Sequence, residues 1–193
     1  MKKIFLCLIA AGFFMTALSQ ADLPQAVKPR EANGKPTIEG ENKNAPGFFT
    51  VEKVIAATSV KNQGITGTCW CFSTTSLIES QALKNNLGEM DLSEMFSVRN
   101  IYIEKAKNYI LRQGHTQFGE GGLGHDLINA ISKYGAMPEI VYSGLKPGDT
   151  LHNHVKLVND LQVFLDGTLK IKPIPQNWLA DYKKILDAAL GTV

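Results

Sequence analysis

From about residue 69 onward, apolar residues recur at intervals of three and four, the period of amphipathic helices packed on a shared core. The first such segment runs from about Cys69 to Asn86, with Gly88 as its stop. Its opening, Ser73-Thr74-Thr75-Ser76, is small and polar, which suits a central helix crowded by neighbours. A second helix starts near Asp91 or Ser93 and buries Met95, Val98, Tyr102, Ala106, Tyr109 and Ile110. A third, about Leu123 to Tyr134, buries Leu127, Ile131 and Tyr134 and ends at Gly135. A fourth spans roughly Leu151 to Asp166 on Leu151, Val155, Val158, Leu161 and Leu165, capped by Gly167. A fifth, about Gln176 to Leu190, carries Trp178, Tyr182, Ile185 and Ala189. Only Thr168 to Ile174 and Glu139 to Tyr142 read as strands, and both are short.

The N-terminus follows a different pattern. Lys2-Lys3 precede an unbroken apolar run from Ile4 to Met15, and small residues at Ala17, Ser19 and Ala21 permit cleavage before Gln20 or Asp22. Residues 1–19 therefore read as a secretory signal peptide, which places the chain in the periplasm or outside the cell. The run is too short for a comfortable membrane span, so no membrane association is expected after cleavage. Residues 22–46 mix Pro24, Pro29, Gly34, Pro36, Gly40 and Pro46 with charged and amide residues, an extended linker ahead of a folded unit over 47–193.

Charge and cysteine content narrow the function classes. The chain of 193 residues carries 20 basic and 18 acidic residues, and losing Lys2 and Lys3 leaves 18 against 18. A near-neutral chain without a basic cluster gives no electrostatic case for nucleic acid. Of three cysteines, Cys7 lies in the signal region, and Cys69 and Cys71 sit two apart on a predicted helix, too divergent to bridge. No second Cys/His pair at ligand spacing follows, so neither a metal nor another cofactor is expected.

The densest chemistry lies at Gln63-Gly64-Ile65-Thr66-Gly67-Thr68-Cys69-Trp70-Cys71-Phe72-Ser73. Cys69 opens a helix, where unpaired N–H groups and the positive dipole end favour an anion such as a thiolate. Gln63 brings a side-chain amide donor from the preceding turn, the kind of group that stabilises a tetrahedral oxyanion together with a backbone N–H. If Cys69 faces solvent, Cys71 faces the core and behaves as a small hydrophobe.

With Val60-Lys61-Asn62 in front, this run resembles the active-site segment of papain-like cysteine peptidases. The resemblance implies Cys69 as nucleophile, Gln63 as oxyanion-hole donor and Trp70 as packing under the site. Relatives of papain usually carry a disulfide-bonded cysteine three residues before the nucleophile, where this chain has Thr66. The bleomycin hydrolase/aminopeptidase C branch lacks that bridge, and further stretches resemble it. These are Leu92-Ser93-Glu94-Met95-Phe96, Glu120-Gly121-Gly122, Lys133-Tyr134-Gly135-Ala136-Met137-Pro138, and Trp178 with Ile185 to Gly191. Gly121 and Gly122 are candidate substrate-binding positions, since a peptide backbone pairing there needs a wall without side chains.

The resemblance implies an α+β papain-like fold, of which this chain is expected to supply the helical, nucleophile-bearing half, with the β-rich half missing. The family's catalytic histidine and asparagine belong to that other half. His115, His125, His152 and His154 are read as solvated surface residues, His115 and His125 flanking the glycine loop and His152 and His154 opening a surface helix. The expectation is therefore a truncated product of a secreted cysteine peptidase, inactive alone, acting on peptide or protein substrates. A peptidase-derived peptide-binding protein is the alternative. A thiol–redox role for Cys69 and Cys71 is disfavoured by their helical spacing. A homo-oligomer, hexameric in that branch, rests on the resemblance alone.

Overall fold

The computed structural model describes residues 54–193; the expected signal peptide and linker lie outside the described residues. The order of elements is α1 (Cys69–Lys84), α2 (Glu94–Leu111), α3 (Gly124–Tyr134), α4 (Val155–Lys170) and α5 (Trp178–Leu190). Among the described residues there is no sheet. Strand-like pairing is limited to two isolated bridges, Ile65 with Asn153 and Leu92 with Pro138. The described residues are thus mostly helical, as expected.

Helix α2 is the hub. Ser93 caps its start by accepting the Phe96 N–H, and the helix packs against each of the other four. It is buried almost all round, including Met95, Val98, Tyr102, Ala106, Tyr109 and Ile110, the stripe its periodicity predicts. From the neighbours come Leu127 and Ala130 on α3, Leu157, Leu161 and Leu165 on α4, and Tyr182, Leu186 and Leu190 on α5. The side chains of α1 that enter this core are Trp70, Cys71, Thr75, Glu79 and Ala82.

Four expectations are corrected. The fourth helix begins at Val155 rather than Leu151, and Leu151 and Val155 are exposed. The reason is a competing backbone pairing. Ile65 N–H donates to the His152 carbonyl at 2.8 Å and His154 N–H to the Ile65 carbonyl at 3.1 Å, a bridge of Ile65 with Asn153 that keeps this stretch out of the helix. The buried stripe is Leu157, Leu161, Leu165 and Thr168, so Gly167 lies inside the helix and does not cap it. Thr168 to Lys170 are accordingly helical rather than strand, and the Thr168 hydroxyl donates to the Phe164 carbonyl at 2.8 Å. Glu139 to Tyr142 form a turn, with the N–H groups of Val141 and Tyr142 both on the Pro138 carbonyl.

Candidate functional site

The turn before Cys69 is built from side chains closing on their own backbone. Asn62 Oδ1 accepts the Gly64 N–H at 2.9 Å. Gly64 adopts φ +65°, and a Cβ there would lie 2.4 Å from the His152 carbonyl oxygen, so only glycine serves. Gln63 Nε2 donates to the Thr66 carbonyl at 2.7 Å, while the Thr66 hydroxyl donates back to the Gln63 carbonyl at 3.0 Å. A primary amide has two N–H donors, so fixing one on Thr66 orients the other. At the far end of the turn the fully buried Thr68 shares a 2.6 Å hydroxyl contact with Thr66 and leads into α1.

The two cysteines part as their spacing requires. Cys69 is exposed on an α1 face that also presents Ser73, Ser76 and Leu77 to solvent. Cys71 is 0% exposed, directs Sγ at the Glu94 carbonyl, and is pushed up to about 12 by burial and by the Glu94 charge. Cys71 is therefore a protonated core thiol at neutral pH. The N–H groups of Cys71 and Phe72 are taken by the Thr68 carbonyl, which leaves those of Cys69 and Trp70 at the start of α1 without an intrahelical acceptor.

Trp70 lies buried behind this end, with Nε1 donating to the Glu120 carbonyl at 3.0 Å. Gly121 and Gly122, both predicted as substrate wall, have different surroundings. Gly121 is exposed, with open space where a Cβ would go. Gly122 is packed face-on to the Trp70 indole. Lys105 Nζ donates to the carbonyls of Gly119, at 2.8 Å, and Gly121, tying this loop to α2.

The histidine expectations divide. His115 and His125 are exposed as expected. His152 and His154 do not face water, which corrects the reading from sequence. His154 is 2% exposed, with Nδ1 3.1 Å from the Tyr102 hydroxyl. Burial, with the neighbouring His152, lowers it to about 4, so it is neutral at pH 7. Among the described residues no hydrogen bond joins a histidine to Cys69.

One polar cluster beneath α1 went unread in the sequence. Glu79, 1% exposed, accepts from Thr58 Oγ1 at 2.6 Å, from the Leu92 N–H at 2.9 Å and from Lys61 Nζ at 3.0 Å. Lys61 also reaches Asp91 and lies 3.5 Å from Glu94. Burial raises Glu94 to about 7 against the pull of Lys61. The signal was present: Glu79 falls on the same stripe as Cys71, Thr75 and Ala82, and a carboxylate there must find a cation and donors. Among the described residues no group of three or more His, Cys, Asp or Glu is arranged to hold a metal ion. No helix among them is long and apolar enough to cross a membrane.

Comparison with known proteins adds a family likeness. The family model described as papain family cysteine protease matches residues 46–100, the span holding Gln63, Cys69, Trp70 and the Lys61–Glu79–Glu94 cluster. The viral cathepsin of Autographa californica nuclear polyhedrosis virus is 34% identical over 93 residues, 48% of this chain and 25% of the relative. The cathepsin L-like proteinase of Fasciola hepatica is 33% identical over 82 residues, 42% of this chain and 23% of the relative. The viral cathepsin of Spodoptera litura multicapsid nucleopolyhedrovirus is 38% identical over 58 residues, 30% of this chain and 17% of the relative. The matched stretches span about a quarter or less of the length of these relatives, and the similarity is to papain-family cysteine peptidases.

Proposed function

We propose that this chain carries the nucleophile-bearing part of an exported cysteine peptidase, of the bleomycin hydrolase/aminopeptidase kind, that hydrolyses peptide bonds through Cys69. The observation that carries the reading is the split of two neighbouring thiols by α1, Cys69 exposed at the helix start and Cys71 sealed in the core. The papain-family match over the same segment supports it.

In this reading the Cys69 thiolate attacks the carbonyl carbon of the scissile bond, and the charge moves to the carbonyl oxygen. The free N–H of the Gln63 amide and a backbone N–H at the start of α1 receive that oxyanion. Collapse of the tetrahedral species expels the amine, which takes a proton from an imidazolium, and water then releases the acid from the thioester. No hydrogen bond joins a described histidine to Cys69, so in this reading the imidazole and its asparagine partner come from outside residues 54–193. Gly121, open at the rim, lies along the peptide backbone, and Trp70 forms the floor.

Brief iodoacetamide treatment of the folded chain followed by mass mapping tests the assignment. Cys69 is expected to be carboxamidomethylated while Cys71 stays unmodified. Equal labelling, or Cys71 first, rejects Cys69 as nucleophile. The aminopeptidase part is tested separately with peptides whose amino end is free or acetylated; equal cleavage of both rejects it.

A further inference from the structure

We infer that Glu120 is a positioning residue for the turn from Gln63 to Cys69, held through the N–H of Gly67. The inference rests on the peptidase reading of Cys69. Gly67 N–H, two residues before Cys69, donates to Glu120 Oε2 at 2.9 Å. A Cβ on Gly67 would lie 2.9 Å from Glu120 Cβ and 3.0 Å from Oε2, so the glycine is what admits the carboxylate. One residue past Cys69, Trp70 Nε1 donates to the main-chain carbonyl of Glu120 itself. Both flanks of Cys69 are therefore tied to a single residue 50 or so positions away in sequence.

Glu120 is in turn fixed from behind. Lys105 Nζ grips the carbonyls on either side of it, those of Gly119 and Gly121. Its second oxygen, Oε1, is buried without a hydrogen bond, 3.8 Å from His154 Nδ1, which is itself held by Tyr102. A buried carboxylate oxygen left without a donor is costly, and simple packing would favour an apolar side chain here. What the carboxylate supplies is a charge-assisted acceptor aimed at one backbone N–H. Position 66 holds threonine, so no disulfide can tie the turn at that point, and the Gly67–Glu120 bond is the tie. By holding residue 67 it sets where the Gln63 amide and the Cys69 N–H point.

The test compares Glu120→Ala with Glu120→Gln, whose amide oxygen can still accept from Gly67. Two readouts on the full chain are amide hydrogen exchange at Gly67 and adduct formation with a peptide aldehyde, whose hemithioacetal oxygen needs the oxyanion donors. Iodoacetamide, which reacts at a saturated carbon and needs none, serves as control. Glu120→Ala is expected to speed Gly67 exchange and weaken the aldehyde adduct by roughly tenfold or more, with the iodoacetamide rate at Cys69 unchanged. Glu120→Gln is expected to restore most of both. Alanine and glutamine behaving alike, or equal losses with aldehyde and iodoacetamide, overturns the proposal. If Glu120→Ala does not fold, Gly67 exchange in the unaltered chain decides: protection supports the tie, and exchange at the rate of an open turn overturns it. An unaltered chain that protects Gly67 but forms no aldehyde adduct counts against the peptidase reading, and leaves the tie supported.

Discussion

Gly122 sits so close to Trp70 that a methyl group in place of its hydrogen would lie 2.7 Å from Cε2 of the indole. A methyl group on the neighbouring Gly121 would meet nothing within 4 Å. The two glycines of one motif therefore answer to different constraints. Gly122→Ala is expected to destabilise the fold by about 1–3 kcal/mol, the usual cost of forcing volume into a packed site. Gly121→Ala is expected to leave stability within about 0.5 kcal/mol while weakening peptide binding. Urea unfolding of both variants checks the pair; equal stability losses would show that the indole does not set the constraint.

Lys61 is the sole cation in contact with the buried Glu79 among the described residues, and it also neutralises Glu94 and Asp91. Lys61→Met leaves Glu79 as an uncompensated buried charge and is expected to cost about 3–5 kcal/mol. Adding Glu79→Gln is expected to recover at least half, since the amide oxygen still accepts from the Leu92 N–H, the amide NH2 can donate to the Thr58 hydroxyl, and no charge remains stranded. Additive losses in the double variant, measured by chemical denaturation, would show that the pairing is not what couples them.

These two sites also mark what the sequence reveals and what it hides. Local period was enough to locate five helices and one buried face of α2, but not Phe96, Ile101 and Ile103, which are buried because neighbours enclose that helix on all sides. The separation of Cys69 from Cys71 followed from the same arithmetic. It failed where distant backbone competes: nothing near Leu151 announces that Ile65 will bridge to Asn153 and delay the fourth helix. The same pairing is why His154, read as a surface residue, is buried against Tyr102. Of the polar clusters drawn from separated segments, Glu79 shows on the α1 stripe but its partner Lys61 does not, and Gly67 with Glu120 carries no periodic signature.

The buried His154 makes a pH prediction. Its folded value of about 4 lies below the ordinary 6.5, so between these values the unfolded chain binds more protons than the folded one. Its contribution is present above pH 6.5 and is lost as pH falls toward 4, amounting to about 3 kcal/mol. Glu94 acts in the opposite sense, since its raised carboxyl makes the folded state bind more protons between 4.5 and about 7. Comparing the unaltered chain with His154→Gln isolates the histidine, because Glu94, His152 and Glu120 are common to both. Unfolding free energies measured from pH 7 to pH 4 are expected to fall less steeply in the variant. Parallel pH profiles would show that His154 does not titrate as buried.

Gln63 has one amide N–H committed to the Thr66 carbonyl, which leaves the other to receive an oxyanion without reorganising. Truncation to alanine removes that donor and also the contact that shapes the turn. In a catalytically complete assembly containing this chain, Gln63→Ala is expected to lower kcat by about 10²–10³ with little change in KM, as for loss of one oxyanion donor. Gln63→Glu removes both amide N–H donors, including the one on the Thr66 carbonyl, while keeping the reach of the side chain. A carboxylate keeps the length of the side chain but donates nothing and repels the developing charge, so it is expected to be no better than alanine. Steady-state hydrolysis of a fluorogenic peptide amide reads both variants. Near-normal kcat in Gln63→Glu would mean that neither amide N–H is required, and that the oxyanion is held by the backbone N–H groups at the start of α1 alone.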